Sequence, residues 1–182
     1  GVISTPSPAL DPDDPDVLWF GGQGLARCDA RTGRLTRLLP EPQRPPADVR
    51  NTVGEIAVDP TDPNVFWMTT RIIGAIAYAG LLRFDRRTGR FDRFQRDPAD
   101  PFSLSTAQTL RVYTDRSGIV WVGTTLQGLN RFDPLGGAVA RLRPGRPFDL
   151  PSDLVYSIIE ARDGALWMGV ARAVARLDRR TG

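Results

Sequence analysis

The side chains that usually do chemistry are unevenly supplied. The 182 residues hold no His, one Cys, 21 acids and 24 Arg with no Lys. Without His, this stretch lacks the commonest general base, metal ligand and phosphoacceptor. Carboxylates remain, and glycoside chemistry needs two of them facing each other across a cleft. Asp59, Asp62, Asp115 and Asp163, however, sit in turn phrases that recur along the chain. Recurrence places them where a fold needs acids, not where a catalytic pair stands. In the longer connections Asp100, Asp149 and Asp153 are among the few acids outside the recurring phrases. The sequence therefore offers no catalytic residue, and no metal-ligating set or cofactor motif.

The bulk composition narrows the class further. At 182 residues and 41% hydrophobic, the chain is long enough for one domain with a core of its own. Eighteen Gly and sixteen Pro favour many turns over long helices. The net charge of +3 is spread among interspersed acids without a basic block, so no nucleic-acid footprint is present. No apolar run approaches the length of a membrane span. The chain opens on Gly1 without Met and closes on Arg-Thr-Gly, so it reads as an excerpt of something longer, with any leader or anchor lying elsewhere.

Stepping along the chain, four Trp residues mark a repeat. Trp19, Trp67, Trp121 and Trp167 stand 48, 54 and 46 residues apart. ALDPDDPDVLW (9–19) aligns with AVDPTDPNVFW (57–67), and DRSGIVW (115–121) with ARDGALW (161–167). A second phrase follows each Trp: LARCDARTG, LLRFDRRTG, LNRFDPLGG and VARLDRRTG. A third (RLTRLL, RFDRFQ, AVARLR) follows in the first three copies. These phrases are short, aliphatic and aromatic, and bounded by turn residues, as strands are. They predict strands A (55–59, 110–115, 155–161), B (17–21, 65–69, 119–124, 165–170), C (25–29, 81–85, 129–133, 174–178) and D (35–39, 91–94, 139–142).

Four-stranded antiparallel units at a period near 50 residues predict an all-β fold, a β-propeller. The chain supplies about three and a half to four blades: 7–40, 53–96, 108–144 and 154–182, the last lacking its fourth strand. A ring of seven is the expected whole. The isolated chain is then expected to leave two blade faces unpaired and to associate or aggregate. In strand C, alternation sends Arg27, Arg83, Arg131 and Arg176 one way and Cys28, Phe84, Phe132 and Leu177 inward. Cys28 is accordingly expected to be a small buried hydrophobe, not a nucleophile. Arg83 with Asp85, and Arg131 with Asp133, recur as structural pairs, and the four Trp are read first as blade-packing residues.

IVWVGTTLQGLNRFDP (119–134) and ALWMGVARAVARLDRRTG (165–182) resemble the two-component regulator propeller repeat. The linkers DPADPFSLST (97–106) and DLPSDLVYSI (149–158) are similar to that family's linkers as well. The first two copies depart from the pattern: VLWFGGQGLARCD lacks the Thr after Gly, and the second copy loses the Gly and carries extra residues between B and C. The resemblance implies a non-catalytic, ligand-sensing propeller segment in the extracytoplasmic (periplasmic) part of a membrane-bound sensor histidine kinase. Signal transduction by phosphorelay would reside elsewhere in that parent protein. It implies as partners the remaining blades, a small-molecule or carbohydrate ligand and a second copy of the parent, with no nucleic acid and no membrane contact of its own.

In an A-B-C-D blade, the A–B and C–D turns share one rim and the B–C and D–A connections the other. The second set is longer and more varied; from Trp67 to Asp85 there are 18 residues, against 10 to 12 in the other copies. Recognition is usually placed on such loops. Asn51, Arg71, Tyr78, Gln108, Thr124, Gln127 and Arg172 are therefore the candidate ligand-binding residues. Arg can chelate a carboxylate or sulfate, and Tyr can stack on a sugar face. Two other function classes stay open: a secreted propeller enzyme acting on carbohydrate, as lyase or glycosidase, and a protein-interaction scaffold. The fold alone does not decide among them.

Overall fold

The computed structural model describes residues 8–70, 80–142 and 150–179. It contains four antiparallel sheets, each wound in chain order. The first is β1 (Ala9–Leu10), β2 (Val17–Gly22), β3 (Gly24–Asp29) and β4 (Leu35–Leu38). The second is β5 (Ile56–Val58), β6 (Val65–Thr69), β7 (Leu81–Asp85) and β8 (Arg90–Phe94). The third is β9 (Thr109–Thr114), β10 (Val120–Thr124), β11 (Leu129–Phe132) and β12 (Val139–Leu142). The fourth has three strands, β13 (Val155–Glu160), β14 (Leu166–Val170) and β15 (Ala173–Leu177). First strands of consecutive sheets touch, β1 with β5, β5 with β9 and β9 with β13, as the strands nearest a common axis must. These are blades of a β-propeller.

The turns follow from their residues. Asp29, Asp85 and Asp133 each accept two backbone N–H groups two and three residues ahead, closing the C–D turn. Gly33, Gly89 and Gly137 then take φ of 68°, 70° and 69°, a region that costs other residues strain. This capping is what makes the strand-C Asp recur. The expected ion pairs hold in one blade only: Arg83 lies 3.8 Å from Asp85 and 3.5 Å from Asp92, whereas the Arg131 side chain makes no ion pair or hydrogen bond among the described residues.

Blades pack face to face. Val17, Trp19 and Leu25 of the first meet Phe66, Met68, Leu82 and Phe84 of the second. Val65, Trp67 and Leu81 of the second meet Val112, Val120, Val122 and Phe132 of the third. Trp121 and Leu129 of the third meet Val155, Leu166, Met168 and Val170 of the fourth. Each D–A connection adds one aliphatic plug to a junction: Val53, Leu104 and Leu150. The Leu of the SLS linker is thus a packing residue. Asn130 fixes that linker through buried hydrogen bonds with Ser105, whose N–H donates to Asn130 Oδ1 and whose Oγ accepts from Asn130 Nδ2, both at 2.9 Å.

Cys28 differs from the expectation. It is half-buried, whereas Phe84, Phe132 and Leu177 at the same position are buried. It pairs with Leu18 on the face of blade 1 turned away from blade 2, where Leu10 and Leu35 are exposed. The fourth indole differs for the matching reason at the other end. Trp19, Trp67 and Trp121 are buried in junctions, but Trp167 is 41% exposed on the free face of blade 4, beside Ile159 and Val174. Among the described residues, blade 1 and blade 4 each leave one face uncovered.

Candidate functional site

The two rims of the arc differ. On the B–C/D–A rim, the β10–β11 turn is joined to two D–A connections. Thr125 Oγ1 donates to Gln108 Oε1 at 2.8 Å, and the Gly128 N–H donates to the Asp153 carbonyl at 2.9 Å. Gln108, Thr124, Gln127 and Asp153 are thereby brought together, and Arg172 stands on the same rim in the β14–β15 turn. Arg172 has φ of 66°, the one described non-Gly residue with positive φ, in a region where side chains are strained.

The seven candidates separate on contact with the structure. Asn51 is fully buried in a short 3-10 turn, its side-chain amide bonded to the Glu41 N–H and to the Glu41 and Pro45 carbonyls, so it clips its own connection. Thr124 is also fully buried; its hydroxyl donates to the Gly128 carbonyl and accepts the Gln127 N–H, closing the turn. Gln108 and Gln127 are half-buried and Arg172 is exposed. Arg71 and Tyr78 lie outside the described residues.

Asp153 gains weight. Its Oδ1 is the one buried side-chain polar atom without a hydrogen-bond partner among the described residues. A buried acceptor left unsatisfied costs about 1–3 kcal/mol, so such atoms are few in a folded chain. The sequence indicated only that Asp153 was one of few acids off the repeat; its burial depends on how the β13 approach folds over the neighbouring turn.

On the A–B/C–D rim lie crevices between blades, organised by a repeated triad. Trp19, Trp67 and Trp121 donate their indole N–H to Asp11 (2.7 Å), Asp59 (3.1 Å) and Asp115 (2.8 Å). At two junctions an Arg from the next blade completes the set. Arg86 reaches Asp11 at 3.0 Å and Asp13 at 3.0 Å; Arg179 reaches Asp115, and Glu160 at 2.8 Å. Burial by itself pushes the Asp11 carboxyl up, but the Trp19 indole, the Asp13 and Asp14 backbone N–H groups and Arg86 together hold it below the usual range. Burial acts likewise on Asp115, outweighed by Ser117, Trp121 and Arg179. The sequence carried a signal for these latches that recurrence alone hides: Ala161 occupies the Asp115 position in blade 4, and Trp167 there is exposed. A crevice of about 380 Å³ opens between blades 3 and 4, lined by Trp121, Arg131, Asp163, Arg176 and Arg179 among others. One of about 200 Å³ opens between blades 2 and 3.

Along the inner strands, Glu55 accepts the Val112 N–H at 2.9 Å. Burial pushes its carboxyl up, against the pull of that N–H and of Arg111. Arg111 in turn donates to the Tyr156 carbonyl. Among the described residues no three His, Cys, Asp or Glu gather to hold a metal ion.

Strand order, face-to-face packing and loop rims define the class: a segment of a β-propeller. The chain carries a repeat of the two-component regulator propeller family, whose model matches residues 149–172. No curated protein matches the chain. Among solved structures it is similar to the extracellular domain of what is described as a hybrid two-component system of B. thetaiotaomicron, at 26% identity and TM-score 0.75, covering 95% of this chain and 23% of that one. A second such domain from the same organism matches at 18% identity and TM-score 0.68, covering 96% and 23%. A catalytically inactive His-to-Ala variant of virginiamycin B lyase from Staphylococcus aureus, with quinupristin, matches at 14% and 0.67, covering 97% and 53%. The chain thus spans about a quarter of the length of the two sensor-system domains it matches.

Proposed function

We propose that this chain is part of an extracytoplasmic, ligand-sensing propeller of a membrane-bound two-component sensor histidine kinase, with further blades of the parent protein covering its two open faces. The observation that carries the reading is the joint one of a two-component regulator propeller repeat at 149–172 and 26% identity over nearly the whole chain to an extracellular domain of such a system. The B–C/D–A rim is the ligand-binding side, where Gln108, Gln127 and Arg172, with the neighbouring Asp153, offer polar groups to a ligand such as a carbohydrate fragment. The ligand is bound and not transformed.

The lyase likeness supports the fold and gives the enzyme reading its one specific foothold. That lyase is inactivated by replacing a His, and no His is available in these 182 residues. The test is a titration of the chain with a panel of oligosaccharides, read by calorimetry, on the wild type and on Asp153→Asn, Gln127→Ala and Arg172→Ala. Binding weakened by all three with unchanged melting temperature supports the reading. Binding untouched by all three moves the site elsewhere, and a changed sugar product would establish an enzyme.

A further inference from the structure

The three blade junctions are built to one plan, and the middle one lacks a part. At each, a buried Asp of the A–B turn receives a Trp indole N–H on Oδ2. In blades 1 and 3 the same Oδ2 also receives a guanidinium from the following blade: Arg86 on Asp11 at 3.2 Å, and Arg179 on Asp115. These Arg residues immediately follow the strand-C Asp, as Asp85-Arg86 and Asp178-Arg179. In blade 3 the corresponding pair is Asp133-Pro134. Among the described residues no side chain reaches back, and the Trp67 indole at 3.1 Å is the one partner of Asp59 Oδ2. Asp59 Oδ1 is engaged by the Thr61 N–H at 2.9 Å and hydroxyl at 2.7 Å, so the free lone pair is on Oδ2.

The missing side chain leaves space. The crevice of about 200 Å³ between blades 2 and 3 is lined by both Asp59 and Pro134, with Thr61, Asp62, Trp67 and Arg83. Its charged lining also includes Asp133, so acids outnumber the one cation, and Arg83 already lies near Asp85 and Asp92. Asp62 is engaged by Arg87 at 2.8 Å and Asp133 by its own turn, leaving Asp59 as the acceptor. We propose that this crevice binds the guanidinium group of a ligand, seated on Asp59 Oδ2 where Arg86 and Arg179 sit in the sister junctions. The warrant is internal: a carboxylate holding an indole N–H on Oδ2 accepts a guanidinium on that oxygen twice in the same molecule. The site lies on the rim opposite the proposed sensing site and is independent of it.

The test reads the indole N–H resonances of the full chain by ¹H–¹⁵N NMR during titration with methylguanidinium, against sodium chloride at matched ionic strength. The expected result is a saturable shift of the Trp67 indole alone, because the carboxylates facing Trp19 and Trp121 are already occupied. No shift, or equal shifts of all indoles, overturns the proposal. An arginine-containing pentapeptide in place of methylguanidinium separates the sources: tighter saturation by the peptide points to an Arg presented by a partner protein, equal saturation to a small molecule, and absence of saturation by either overturns the site. Pro134→Arg supplies the guanidinium from within and is expected to weaken the Trp67 response at least about tenfold, as a tethered competitor does. An unchanged response in the folded variant counts against the proposal. Should that variant not fold, the wild-type titration decides.

Discussion

The central strands of the inner and outer blades carry nearly the same words and meet different fates. In β6 (VFWMT) and β10 (VWVGT) every residue is buried, because each has a blade on both sides. In β2 burial falls on Val17 and Trp19, facing blade 2. In β14 it falls on Leu166, Met168 and Val170, facing blade 3, and leaves Trp167 out. The two outer blades are therefore exposed on opposite phases of the same alternation. A repeat residue's sequence says which face it is on; only the neighbouring blade says whether that face is dry.

That contrast is sharpest in the indoles. Trp67→Ala should destabilise the chain by about 3–5 kcal/mol, through lost packing and a cavity, while Trp167→Ala should cost less than about 1 kcal/mol. Urea midpoints at constant slope check both, and equal losses would break the comparison. The junction latch comes next. Arg86→Ala strands Asp11, whose side chain is 2% exposed, and should cost about 2–3 kcal/mol. Arg87→Ala, one residue on and largely in water, should be near neutral by the same measurement.

Smaller effects test the loops and the pH response. Arg172→Gly should stabilise by about 1 kcal/mol, since Gly accepts a positive φ that costs Arg strain. A melting temperature that falls instead would mean Arg172 makes contacts that outweigh its backbone. For Asp11 and Asp115, folded-state carboxyls held below their unfolded values contribute stability that is present above the usual carboxylate range and lost as pH falls below it through the lowered folded values. Glu55 has the opposite sign: its raised carboxyl favours the fold at low pH and disfavours it as pH rises past the folded value. Glu55→Gln should thus raise stability slightly at neutral pH, with the gain vanishing in acid, as pH-dependent melting can show.

Much of the fold was legible because each strand is a short phrase between turn residues. Strands β6, β7 and β12 fall where the phrases place them, and most others within a residue or so. Ala9–Leu10 was not assigned a strand because two residues carry no alternation; their pairing with β2 is tertiary. Cys28 was read as buried from its Phe and Leu counterparts, a reading that holds only where a blade covers it. The strand-C Arg and Asp looked like an ion pair because both recur, yet the Asp recurs to cap a turn. The candidate rim was visible as the longer, varied connections. Which of its polar side chains were committed to their own loops was not, since Asn51 and Thr124 are engaged by backbone groups that only the folded connections bring near.

The account rests on the two open faces being halves of one kind of junction, covered by further blades in the parent protein. Cys28, the single thiol of the chain, lies on one of them. Its alkylation rate, followed by mass spectrometry of the Cys28 peptide, should be compared in this chain and in the intact parent propeller. The account predicts ready labelling in the isolated chain and strong protection in the parent. Equal rates in the two would contradict it.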